Sequence, residues 1–116
     1  MDRDDVGRMR SQLAAFLEHL RLNRNSSAHT AAAYESDISQ FLDFAAQHLD
    51  TADLEPSHLQ LGTIRAFMAE LYRQGHARAS VARKLSALRA FGRFLRREGL
   101  IDSDPAALAA SPKRER

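Results

Sequence analysis

Six cations and no acid occupy residues 80–97, SVARKLSALRAFGRFLRR: Arg83, Lys84, Arg89, Arg93, Arg96 and Arg97. In the same stretch Val81, Leu85, Leu88, Phe91 and Leu95 recur at intervals of four, three, three and four. That spacing draws one stripe along a helix of 3.6 residues per turn. A helix with an apolar stripe and an acid-free basic arc suits a polyanionic partner, nucleic acid before any other. The competing reading is a solvated arginine face with no partner at all.

Other chemistries lack their residues. His19, His29, His48, His58 and His76 include no pair three or four apart, so no helix face offers two imidazoles to one metal. There is no cysteine, which removes disulfides, thiolate catalysis and zinc fingers and agrees with a reducing cytoplasm. Glu35 and Asp37 point to different sides of their helix, so they make no acid–base pair. The five glycines stand singly and build no phosphate-cradling loop. Ser27, Ser80 and Ser86 have no local histidine and acid to activate them. Tyr34 falls on an apolar stripe and reads as a core residue, whereas Tyr72 lies off its helix's stripe. No catalytic residue, metal or cofactor is expected of this chain.

The elements that must position the cations are helical. With 116 residues the chain suffices for one compact domain. It holds no apolar run of membrane-spanning length and opens on a charged stretch without the apolar segment of a signal peptide. Charge is divided along it. Residues 1–61 hold five arginines and ten carboxylates, net −5, and residues 62–116 hold twelve cations and five carboxylates, net +7. Such a division gives a directional electrostatic footprint.

A first helix over residues 6–22 carries Met9, Leu13, Phe16, Leu17 and Leu20 on one side. A polar connector, residues 23–27, ends in Ser27, a good N-cap. The second helix, residues 28–49, turns Tyr34, Ile38, Phe41, Leu42, Ala45 and Leu49 inward. A loop follows over residues 50–57. The third helix spans residues 61–74 with Ile64, Phe67, Met68 and Leu71 inward, and Gly75 stops it. Ser80 is expected to cap the fourth helix and Gly99 to end it. Asp104-Pro105 reads as an N-cap followed by proline at the first helical position, opening a short helix to about residue 109. No alternating strand pattern occurs. The expected fold is all-α: a compact bundle of four main helices plus a short C-terminal one, with short loops favouring antiparallel neighbours.

Several of these residues, in order, carry a resemblance. Ser27-x-x-Thr30-x-x-x-Tyr34-x-x-Asp37 with Phe41 resembles the opening of the second helix in tyrosine recombinases of the Xer type. Ile64-Arg65-Ala66-Phe67 resembles their third helix. The run from Ser80 through Arg83, Lys84, Leu85, Ser86, Ala87 and Leu88 to Arg89 resembles their most recognisable N-terminal motif. Asp104-Pro105-Ala106 and Ser111-Pro112-Lys113 resemble the exit into a linker. The likeness runs from about residue 13 to 113. It implies a SAM-like core-binding domain over residues 1–110, with residues 111–116 starting a linker toward a separate catalytic domain. That domain's His-x-x-Arg and tyrosine series is not among these residues.

The resemblance implies double-stranded DNA as partner, a recombination half-site clamped for chromosome or plasmid dimer resolution. In the full-length recombinase it implies a tetramer on DNA, with a DNA translocase as a further partner. Cytoplasmic, nucleoid-associated location goes with this, and so does a monomeric isolated domain. XerC-like, XerD-like and phage- or transposon-integrase roles all stay open.

The expected contacts are Ser27, His29 and Thr30 at one helix start and Arg78 and Ser80 at another, where free N–H groups suit phosphates. Arg83 is expected to reach into a groove beside small neighbours, with Ser36 facing outward on the second helix and Lys84 snorkelling out to a phosphate. Phe94 is expected to cover the fifth helix or to dock elsewhere. The alternatives are a protein–protein adapter with a basic face and a helix-turn-helix regulator.

Overall fold

The computed structural model describes residues 8–23 and 27–109. Every regular element among them is helical: α1 (Met9–Arg21), α2 (Ala28–His48), a 3₁₀ turn (Pro56–His58), α3 (Leu61–Arg73), α4 (Arg78–Arg97) and α5 (Pro105–Leu108). The all-α bundle expected from periodicity is what forms. The Val6 start of the first helix and the linker after residue 110 lie outside the described residues.

α4 is the central element, packing on α1, α2, α3 and α5. Its buried surface is wider than the single stripe read from sequence. Val81, Leu85, Leu88, Gly92 and Leu95 form one line, and Lys84, Ala87, Phe91 and Phe94 form a second beside it. Phe94 belongs to this second line. It is 5% exposed and its ring lies 5.4 Å from Phe16 and 5.6 Å from His19, both on α1. The expectation that it covers α5 or docks outside is therefore corrected: α1 crosses α4 at that point and claims the ring.

Two aromatic groups tie the helices. Phe16 sits against Tyr34, Phe91 and Phe94, joining α1, α2 and α4. Phe67 sits against Phe41 and Phe44, joining α2 and α3. Edge and tilted ring pairs of this kind add about 0.5–1.5 kcal/mol each beyond area burial.

The helix ends show which local signals were decisive. Ser27 caps α2, its Oγ accepting the Thr30 N–H at 3.1 Å. Ser80 does not cap α4. The helix begins two residues earlier, at Arg78, with Ala77 as N-cap, and the Ala77 carbonyl accepts the Val81 N–H at 3.1 Å. Residues 77–79 (Ala-Arg-Ala) favour helix, so winding continues back through them. α2, α3 and α4 close in the same way. The N–H after a left-handed residue reaches back to the final turn: Thr51 to Ala46, His76 to Leu71, Leu100 to Leu95. The left-handed positions are Asp50 (φ 52°), Gly75 (φ 91°) and Gly99 (φ 79°), the arrangement that closes a helix C-terminus.

α5 is held from outside. Arg89 on α4 donates from Nε to the Ala106 carbonyl at 3.2 Å and from Nη2 to the Ala109 carbonyl. Gly92 allows Asp104 to lie against α4, since a Cβ there would meet its Oδ1 at 2.4 Å.

Candidate nucleic-acid interface

The basic arc of α4 does not face solvent as one surface. Arg89 is turned onto the carbonyls of α5. Arg97 approaches His19 at 3.5 Å. Arg93 and Arg96 are exposed. The first half of the helix carries the most structured group, in which Arg83 and Lys84 both bind Asp37 of α2.

Arg83 donates from Nε to Asp37 Oδ2 at 3.1 Å and from Nη2 to Oδ1 at 3.0 Å. Lys84 donates from Nζ to the same Oδ1 at 2.9 Å. The Asp37 and Lys84 side chains are 5% and 4% exposed, and that of Arg83 is 59% exposed. Burial alone would push the Asp37 carboxyl up. Hydrogen bonds from Arg83 and Lys84, together with their charges, outweigh it and hold the group below the ordinary carboxylate range. The Arg83 guanidinium is shifted up by the same contacts.

Lys84 is the clearest departure from expectation. It does not snorkel to a phosphate. Its ammonium lies in the core line of α4, and a buried ammonium persists there because a carboxylate meets it. Arg83 stays at the surface, but clamped along its Nε–Nη2 edge.

Small exposed residues lie on the same arcs as Arg83 and Asp37. Ala79 and Ser86 lie one turn to either side on α4, and Ala33 and Ser36 precede Asp37 on α2. Asp37 thereby joins the outward faces of α2 and α4 beside one long cation. The other expected contacts flank this point. Ser27, His29 and Thr30 are exposed at the start of α2, with Ser27 Oγ and Thr30 Oγ1 3.0 Å apart. Arg78 is exposed at the first residue of α4, and Ser80 is half-buried within that first turn. The sequence reading did not connect Asp37 to the cations, although it lay within the motif quoted for α2. No group of three or more His, Asp or Glu among the described residues could hold a metal, and no described helix is long and apolar enough to cross a membrane.

Comparison with known proteins places the chain in a family. Residues 13–99 match the family described as phage integrase, N-terminal SAM-like domain. Tyrosine recombinase XerC of Azotobacter vinelandii is 43% identical over 109 residues, 93% of this chain and 35% of that protein. XerC of Pseudomonas savastanoi is 41% identical over 110 residues, with 93% and 35% covered. XerC of Pelotomaculum thermopropionicum is 40% identical over 103 residues, with 87% and 34% covered. The chain thus spans about a third of the length of these relatives. No solved structure matches it. The chain belongs to the phage integrase N-terminal SAM-like domain family, as an N-terminal domain of the Xer tyrosine-recombinase type.

Proposed function

We propose that this domain binds double-stranded DNA through the joined outward faces of α2 and α4, as the core-binding part of a site-specific tyrosine recombinase. The observation that carries the reading is Arg83, an exposed guanidinium on α4 bound to Asp37 of α2, with the small exposed residues Ala79 and Ser86 one turn away on α4 and Ala33 and Ser36 beside Asp37 on α2. Small neighbours let helices approach base edges closely, and one long arginine can then reach a guanine. The first turns of α2 and α4, with Ser27, His29, Thr30, Arg78 and Ser80, lie against phosphates and set register. Lys84 contributes its charge from within and makes no direct contact. Residues 1–110 form the binding unit and residues 111–116 lead toward a catalytic domain. Strand cleavage, the recombinase tetramer and work on dimeric chromosomes or plasmids belong to the parent protein.

Selection of bound duplexes from a random pool identifies the preferred half-site. Arg83→Ala should weaken binding to that duplex by about 1–3 kcal/mol, with a smaller loss on random DNA, read by fluorescence anisotropy. Equal losses on both would reduce Arg83 to a phosphate contact. No loss on either would remove it from the interface. Complete indifference of the wild-type chain to DNA would favour the adapter reading.

A further inference from the structure

The Asp37 carboxylate holds Arg83 by one particular edge. Nε and Nη2 are engaged, so the edge formed by Nη1 and the far side of Nη2 is directed away from Asp37. That end-on edge also carries two parallel donors, which suit a guanine's O6 and N7 or a phosphate. An isolated arginine samples many rotamers and loses that freedom on binding, whereas a clamped one has already lost most of it.

The charge count gives Lys84 a second role. An Asp–Arg pair alone sums to zero and draws a polyanion weakly. With Lys84 Nζ on the same carboxylate, the three groups sum to +1, and Arg83 is the only member that reaches the surface. The buried ammonium neutralises the carboxylate from inside, leaving the guanidinium's charge available outside.

We propose that Asp37 is a specificity-determining positioning residue, fixing which edge of Arg83 is offered to a base, and that Lys84 restores the positive charge this clamp would otherwise cancel. This rests on the DNA-binding reading above.

The test uses the 116-residue chain and random-sequence duplexes, with the bound fraction sequenced and affinity measured by anisotropy. Asp37→Asn alone leaves a buried ammonium without its carboxylate and threatens the fold. It is therefore paired with Lys84→Met, which removes both buried charges at similar volume. The double variant should stay helical by circular dichroism and bind pooled DNA within a few-fold of wild type. Its preference for guanine at one position should fall from about ten-fold or more to near one. A merely structural role would weaken all sequences alike, and that outcome overturns the proposal, as does a preference kept at the wild-type level.

Lys84→Met alone keeps the Asp37–Arg83 clamp and keeps the proposal open to test if the double variant does not fold. It should hold the base preference while weakening binding to every duplex several-fold. Unchanged affinity would refute the charge-restoring role, and a lost preference would refute the clamp. A wild-type chain that binds no DNA refutes the parent reading instead, whereas wild-type binding without base preference refutes only this one.

Discussion

Asp37 accepts from two cations, and the two are not equivalent. Lys84 is enclosed with it, so removing the carboxylate strands an ammonium in the core. Asp37→Ala should cost about 3–5 kcal/mol, measured by urea denaturation. Arg83→Ala leaves Lys84 on the carboxylate and takes away a partner that is more than half exposed, so the loss should be only about 1 kcal/mol. The pH dependence follows from the lowered Asp37 value. Its contribution is full above the ordinary carboxylate value, about 4, and is lost as pH falls through the lower folded value. Removing both donors, as Arg83→Ala with Lys84→Met, leaves burial to raise the group, so the double variant should be less stable at neutral pH but should lose less of its stability than wild type on acidification, read by urea denaturation at neutral and acid pH. The pair was only half legible in the chain. Lys84 falls on the apolar arc and Asp37 adjoins Ile38, two charges at inward positions. What local periodicity lacks is the pairing itself, which spans 47 positions and exists only once α2 and α4 pack.

Helix ends were legible where one residue type dominates the local energetics. Ser27, Gly75 and Gly99 are such positions, and each lies where its chemistry requires. Asp50 was not legible as a terminator, because aspartate enters the left-handed region only under a strong closing pattern. Asp50→Gly should relieve that cost and stabilise the domain by about 0.5–1 kcal/mol, seen as a raised Tm. Ser80 misled because a good cap two residues into a run of strong helix formers is overridden by them. α5 depends on a neighbour, since four residues cannot sustain a helix alone. Arg89→Ala should therefore raise hydrogen exchange across residues 105–109 well before it affects α2 or α3. No periodicity argument could assign Arg89 this task, since it looks identical to the other arginines of the basic arc.

Across the whole molecule, the core and the proposed interface share α4. Leu88, fully buried, should cost about 2–5 kcal/mol as Leu88→Ala, and loss of the fold would abolish binding indirectly. The Arg83 and Lys84 variants separate the two roles, because they alter the exposed charge while leaving the aromatic groups in place. The division of charge between the two halves of the chain survives folding as a basic α4 bound at one point by Asp37 of α2. Of the six cations first read as one surface, Lys84 is buried, Arg89 binds α5 and Arg83 is clamped at the point where two helices meet. The proposed interface is thereby narrower than charge alone implied.

The most direct measurement is the affinity of this chain for duplex DNA as salt concentration rises. Binding through a charged helix-pair face predicts a linear fall of log K with log salt, by counterion release, with Arg83→Ala weaker than wild type throughout. Absence of any complex at the lowest salt, or an affinity indifferent to salt, would contradict it.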